Sequence, residues 1–350
     1  MDESQERIMK KYKVGIVGIG AVGTEMVKIL RQRNFSCDEI RIMARSERDE
    51  EVAGETFHVV ETKPESFDGL DFAFFAGTEG SKGASQLFGW EAVSRGVTVI
   101  DNGDDFRMDT RVPLVIPEVN GDALKNHQGF IANPNCSTII AMMALGPLHK
   151  AARIRRIVAS TYQAVSGTGR NAIVELENQL KQYVAGEPLT ADVYPHQILL
   201  NVLPQIGGLK AEMPGYTSEE AKMLFETRKI LGDNDIKVST TCVRVPVFYG
   251  HAEAINIEFE RPMTPEEARE VLNAAEGIQV VDNPSQAAFP LPLDVAGKDD
   301  CLVGRIRPDD SAENGLALFV AGDNIRKGAA LNAIQIAEHL IRSYSESPGI

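Results

Sequence analysis

An α/β domain on a parallel sheet, followed by an α+β catalytic domain on a mixed or antiparallel sheet, is predicted from three observations. The chain has 350 residues, enough for two domains of roughly 150 residues each. Its first hundred residues alternate apolar, β-branched runs with helical patterns, as a doubly wound parallel sheet requires. Further on, Ile255, Ile257 and Phe259 alternate with Asn256, Glu258 and Glu260, the period of two expected of a half-buried, antiparallel strand.

The elements follow in order. Lys13 to Gly18 is a short strand, and Val22, Met26, Ile29 and Leu30 then recur at helical spacing, so strand, turn and helix open the chain. Strands are expected at Ile40 to Ala44, Asp71 to Ala76 and Val97 to Ile100. A helix is expected at Asn171 to Tyr183, then a connection rich in Pro and Gly from Pro188 to Gly215, too long for a simple turn and therefore structural or functional. Lys237 to Val247 and His251 to Glu260 read as long strands. The last helix, about Lys327 to Tyr344, puts Ala330, Ile334, Ala337 and Ile341 on one stripe. These elements divide the chain into residues 1–135, residues 136–326, and a terminal helix at 327–346 that returns to the first domain.

Composition narrows the function. With 43% hydrophobic and 25% charged residues the chain is globular. No apolar stretch is long enough to span a membrane; Ile139 to Gly146 is followed by Pro147 and His149. A net charge of -14 repels a polyphosphate and excludes nucleic acid as the expected partner, while a few placed Arg and Lys still suffice for a small anion. The four cysteines, Cys37, Cys136, Cys242 and Cys301, have no metal-ligand spacing, so no metal is expected. The first residues carry mixed charge and no apolar segment, and the expected setting is reducing and cytoplasmic.

Two motifs carry chemistry. Gly18-Ile-Gly20-Ala21-Val22-Gly23 follows a strand and opens a helix, the Rossmann-type context in which glycines let the backbone approach a pyrophosphate. Without a ligand it is a glycine turn. The second strand ends in Arg45-Ser46 where an NAD site wants an acid, which suits the 2′-phosphate of NADP unless Arg45 is only surface charge. Asn133-Pro-Asn135-Cys136-Ser-Thr138 stands before an apolar helix, where main-chain N–H groups favour a thiolate; a lone cysteine is otherwise a small core residue. His251, after Tyr249-Gly250, is placed to act as its acid/base. Glu219 and Lys222 taken alone read as an exposed helix pair.

The chain resembles the bacterial aspartate-semialdehyde dehydrogenases. The likeness rests on GIVGIGAVG, DNGDDFR, VIPEVN, NPNCST, TYQAVSGTG, YPHQILLNVLPQIG, EEAKM, CVRVPVFYGHAEA, GKDDCLVGRIR and DNIRKGAALNAIQIAE, from Lys13 to about Leu340. It implies that Cys136 is the nucleophile, Gln163 holds the acyl group and His251 moves protons. It further implies that Arg244 clamps the substrate α-carboxylate, Glu219 meets its α-amine, and Arg107, Asn135 and Lys222 receive phosphate. Gly18, Gly20, Ala21, Val22, Gly23, Arg45, Ser46, Ser166, Gly167 and Asn324 are implied beside NADP.

The implied reaction is NADPH-dependent conversion of L-4-aspartyl phosphate to L-aspartate 4-semialdehyde through a Cys136 thioester, within the synthesis of lysine, threonine, methionine and diaminopimelate. A homodimer or a dimer of dimers is implied too. The rival readings are an N-acetyl-γ-glutamyl-phosphate reductase, whose acetylated nitrogen has no charge for Glu219, and a non-catalytic NADP-binding paralogue. Thr78 to Gly83 and the acids of DNGDDFR depart from the family pattern and bear on the cofactor and phosphate pockets.

Overall fold

A computed structural model describes residues 10–76 and 83–346; the departure at Thr78 to Lys82 lies outside the described residues. The first sheet comprises β1 (Tyr12–Val17), β2 (Cys37–Ala44), β3 (Arg48–Val52), β4 (Glu55–Glu61), β5 (Phe72–Phe75), β6 (Thr98–Asp101) and β7 (Phe130–Ala132), in the order β3-β4-β2-β1-β5-β6-β7. The second comprises β8 (Ile154–Gln163), β9 (Lys237–Arg244), β10 (His251–Phe259), β11 (Ile278–Val280), β12 (Cys301–Pro308) and β13 (Gly315–Gly322), in the order β11-β12-β13-β10-β8-β9. The helices are α1 (Ala21–Gln32), α2 (Ala84–Ser94), α3 (Pro117–Asn120), α4 (Cys136–Ala152), α5 (Arg170–Ala185), α6 (Ser218–Leu231), α7 (Pro265–Asn273), α8 (Pro292–Val295) and α9 (Leu331–Glu346).

β1, β2, β4, β5, β6 and β7 pair in parallel. The short apolar runs of β1, β5, β6 and β7 are buried on both faces, which is why they carry little alternation. The edge differs from the expectation: the charged stretch after Arg45 folds into the antiparallel β3–β4 hairpin. Ala53 and Gly54 turn it with φ of 56° and 83°, both in the left-handed region that two-residue hairpin turns demand. Its charged residues hide the strand pattern while blunting an exposed edge.

The second sheet is mixed. β8–β9 and β11–β12 are parallel, while β10 runs antiparallel to both β8 and β13. β10 buries Ile255, Ile257 and Phe259 as the alternation predicts. The strand predicted through Val247 stops at Arg244, because the chain turns there to pass beside Ala164 and Val165.

α4 is apolar all round because it is buried all round, packing on β10, β13, α6 and α7. The terminal segment starts as a π-turn over Arg326–Ala330 and continues as α9. Ala330, Ile334 and Ala337 join Met26, Val27 and Leu30 of α1 in one core cluster. Two buried cations fasten that segment: Arg326 to Glu25, Gln32 and Asp299, and Lys327 to Glu118, Asn332 and Gln335. Among the described residues no helix is long and apolar enough to cross a membrane.

Candidate active site

A cleft of about 990 Å³ opens where the two sheets meet, lined by residues from Val22, Asn102 and Arg107 through Cys136, Gln163 and Glu219 to Asn324 and Ala329. Three strand ends supply one row of side chains. The β8–β9 register sets Gln163 opposite Arg244, and the β8–β10 register that pairs Ala252 with Tyr162 brings His251 beside Gln163. The start of α4 lines the same cleft as Gln163 and Arg244.

Cys136 is the first residue of α4, as its sequence setting predicts, and Asn135 is the N-cap. Asn135 Oδ1 accepts from the N–H groups of Ser137 at 3.0 Å and Thr138 at 3.2 Å, which fixes the helix start. Its Nδ2 donates to Glu219 Oε1 at 2.9 Å, so the amide implied to receive phosphate is engaged in shaping the site. The thiolate expectation needs correction. Burial, then the Glu219 charge, push the Cys136 thiol up to about 12, and these outweigh the helix start and the nearby Arg244 and Arg107. An ammonium placed on Glu219 would remove the second of those causes.

His251 opens β10 after Gly250, whose φ of +87° and near contact with the Pro292 carbonyl admit only glycine; a Cβ there would sit 2.5 Å from that oxygen. The ring is fully buried. Its Nδ1 accepts from the Ala164 N–H at 3.0 Å, so the neutral ring carries its hydrogen on Nε2. Burial and the Arg244 charge hold its pKa well below the ordinary histidine value, which makes the resting imidazole neutral and a donor at Nε2. Nε2 of His251 and Nε of Arg244 are both buried without a hydrogen-bond partner among the described residues. Unmade hydrogen bonds of this kind are costly in a folded protein and mark a place where a ligand completes them.

Gly167 separates these two groups. A Cβ on it would lie 2.9 Å from Arg244 Nη1 and 3.0 Å from His251 Cε1 and Nε2. Neither neighbour can yield freely, because Arg244 Nη1 donates to the Ala164 carbonyl at 2.7 Å and the His251 ring is held by the Ala164 N–H. Gly167→Ala should therefore lower kcat/KM per folded molecule by about tenfold or more through displaced side chains, with some loss of melting temperature. Steady-state kinetics beside a thermal melt will check it.

The charged residues form a linked set. Glu219 Oε1 also accepts from Gln163 Nε2 at 3.1 Å, and the Lys222 ammonium lies 3.1 Å from Asp104 and 3.7 Å from Glu219. Arg107 is 5% exposed and donates to Asn133 O, Asn102 O and Glu226 Oε1. The exposed-pair reading of Glu219 and Lys222 is thus replaced by a buried carboxylate and a partly buried ammonium facing the cleft. Glu226, two turns beyond Glu219, and Lys229, whose ammonium donates to the carbonyls of Arg107, Asp109 and Val112, were missed by sequence reasoning. The one available signal was their shared helical face with Glu219 and Lys222.

The long connection, 188–215, also reaches the cleft, through Tyr194, Pro195, His196 and Leu203 to Gly207. Glu175 holds it by accepting from the N–H groups of Asp192 and Val193, and Gln179 by bonding Leu199 N and Thr190 O.

On the nucleotide side, Gly18 has φ 95°, and a Cβ on Gly23 would sit 2.0 Å from the Gly18 carbonyl. Gly20 has nothing within 4 Å of the same position, and the α1 N-terminus has no side-chain cap. A tight turn, an open approach and uncapped N–H groups fit a dinucleotide pyrophosphate. Ala21 and Val22 begin α1, and Arg45 and Ser46 stand exposed directly after β2. Across the cleft, Ser166 and Asn324 bond each other, and Asn324 Oδ1 accepts from Gly250 N at 3.0 Å.

Comparison with known proteins gives this geometry a family. Residues 13–127 match the semialdehyde dehydrogenase NAD-binding domain, and residues 145–327 match the semialdehyde dehydrogenase dimerisation domain. The aspartate-semialdehyde dehydrogenase of Aquifex aeolicus is 50% identical over 341 residues, spanning 95% of this chain and 98% of that protein. This chain belongs to the aspartate-semialdehyde dehydrogenase family. The Bacillus subtilis member of the family is 44% identical over 93% of this chain and 96% of its own length. The crystal structure of aspartate semialdehyde dehydrogenase II from Vibrio cholerae superimposes with a TM-score of 0.90 at 42% identity, covering 96% of this chain and 100% of that one. A second structure of that enzyme is complexed with ASA. The family membership displaces the acetylglutamyl-phosphate reductase reading, and it agrees with the two-sheet architecture described above.

Proposed function

We propose that this member of the aspartate-semialdehyde dehydrogenase family reduces L-4-aspartyl phosphate to L-aspartate 4-semialdehyde with NADPH. The observation that carries the site assignment is a single cleft lined by Cys136, at a capped helix start, with Gln163, Glu219 and Arg244, where Arg244 Nε and, beside Gly167, His251 Nε2 lie buried with no hydrogen-bond partner among the described residues. We assign residues 1–135 with the terminal helix to the nucleotide, and residues 136–326 to catalysis and self-association as a homodimer or a dimer of dimers. A cytoplasmic setting suits a reaction that needs Cys136 reduced.

The substrate carries a carboxylate, an ammonium and an acyl phosphate. Arg244 takes the first as a charge-assisted pair, Glu219 the second, and Arg107 with Lys222 the third. Asn135 acts there by holding Glu219 and the helix start. Once the substrate ammonium has offset the Glu219 charge, Cys136 loses its proton to cleft water and the thiolate attacks the acyl carbon; the bond from that carbon to the phosphate oxygen breaks, and phosphate leaves towards Arg107, giving a thioester. NADPH, when bound along Gly18 to Gly23, supplies the hydride that reduces this thioester. His251 Nε2 and Gln163 face the oxygen on which negative charge develops, and His251 donates there. Collapse of the resulting thiohemiacetal returns the sulfur to Cys136 and releases the semialdehyde.

The deciding assay runs in reverse: L-aspartate semialdehyde, phosphate and NADP should give NADPH absorbance, strictly dependent on phosphate. Absence of any phosphate-dependent signal would overturn the assignment in favour of the non-catalytic paralogue.

The cofactor assignment has its own test. Arg45 follows β2, where its guanidinium can meet a 2′-phosphate and Ser46 can donate a hydrogen bond. Arg45→Asp should lower the NADP/NAD ratio of kcat/KM by about tenfold or more, the scale of one lost charged hydrogen bond. An unchanged ratio would mean that Arg45 is surface charge only.

A further inference from the structure

We propose that Glu226 is the positioning residue that aims Arg107 at the departing phosphate and ties it to the start of the Cys136 helix; this rests on the reading of the cleft given above. Glu226 is 1% exposed. Its Oε1 accepts from Arg107 Nη1 at 3.0 Å, and its Oε2 accepts from the main-chain N–H of Asn135 at 2.7 Å. Asn135 caps α4 and Cys136 follows it. One carboxylate thus joins the anion pocket and the nucleophile, which are brought together from three separate parts of the chain.

The guanidinium of Arg107 donates to Asn133 O at 2.9 Å, to Asn102 O at 2.7 Å and to Glu226. The Glu226 contact pairs opposite charges, 6% and 2% exposed at the side chain. The same helix grips the Arg107 segment a second time, because Lys229 Nζ donates to the Arg107 carbonyl at 2.6 Å and to those of Asp109 and Val112 at 2.8 Å. α6 therefore fixes the main chain of this segment with one side chain and the guanidinium plane with another. A phosphate needs donors at set positions, and a guanidinium free to turn keeps its charge but loses that geometry.

Orientation and charge pull in opposite directions. The Glu226 carboxylate offsets part of the Arg107 charge, so its loss would draw phosphate in if attraction decided the outcome. The hold by two carbonyls and a carboxylate, in a site where both charged partners are buried, makes orientation the larger effect. The consequence falls on phosphate and spares the semialdehyde, whose charged groups are assigned to Arg244 and Glu219.

Glu226→Gln tests the Arg107 arm selectively. Its amide oxygen can still accept from Asn135 N–H, which leaves its NH₂ facing Arg107 Nη1, donor against donor. In the phosphate-dependent assay its KM for phosphate should rise by about tenfold or more, while KM for the semialdehyde and Kd for NADP stay within about twofold of wild type. A purely structural role would change these together or only lower the melting temperature. Glu226→Asp, which keeps the charge on a shorter arm, should show an intermediate rise in phosphate KM; it decides the matter by the same criteria if Glu226→Gln does not fold. In an Arg107→Lys background the effect of Glu226→Gln should shrink to less than about threefold, because the residue acts through Arg107. A phosphate KM unchanged or lowered, an equal rise in both substrate KM values, or full additivity with Arg107→Lys would overturn the proposal. Wild-type enzyme without phosphate-dependent turnover would overturn the reading of the cleft instead.

Discussion

Cys136→Ser should bind NADP as wild type does and lose turnover by about 10³-fold or more, roughly 4 kcal/mol of barrier. The surroundings explain why serine fails. The cleft that pushes a thiol up to about 12 disfavours an alkoxide even more, since a hydroxyl ionises less readily than a thiol at the outset. His251 does not compensate: its Nδ1 accepts from the Ala164 N–H and its Nε2 already carries hydrogen in the neutral ring. Single-turnover mixing with the acyl phosphate should therefore release no phosphate in the variant. Turnover within about tenfold of wild type, a difference of roughly 1.4 kcal/mol, would remove Cys136 from the role of nucleophile.

His251→Asn is expected to lower kcat by about 10²- to 10⁴-fold with a much smaller change in KM, because the group acts on charge that develops during the reaction. The ring is buried, so some loss of stability will accompany the change, and kcat has to be measured per folded molecule. A histidine that only packs between β10 and Gly167 would give normal kcat on the folded fraction and a lowered melting temperature. The low pKa adds a second mark. With the imidazole neutral across the working range, the acid limb of the wild-type kcat profile should lie below pH 6.5, and it should not be set by an ordinary histidine titration.

Much of this was legible along the chain because its signals are local. The turn at Gly18 to Gly23 must satisfy φ and close-approach limits within six residues, and glycine is what satisfies them. Cys136 announced itself through its Asn135 cap and the apolar run after it. His251 did so through Gly250, whose conformation turns the chain into β10. The β3–β4 hairpin was not legible, since an edge strand carrying charges on both faces has no hydrophobic period to read. The parallel pairing of β8 with β9 was hidden for another reason: two strands separated by α5, the long connection and α6 share no local signal.

The sequence by itself determined the two-domain α/β class, the nucleotide turn and the position of the thiol at a helix start, all consequences of backbone limits and hydrophobic period over a few residues. Only the tertiary structure decided which charges are interior. Glu226 looks like any acid on a helix until α6 packs on α4 and closes that face. A buried carboxylate or guanidinium must then find a partner, because the cost of leaving it unpaired far exceeds that on the surface. That requirement links Arg107, Glu226 and Asn135 across the chain. It also leaves the thiol protonated in the resting cleft, where helix position alone pointed to a thiolate, because desolvation is a property of everything packed around a group and not of its neighbours in sequence.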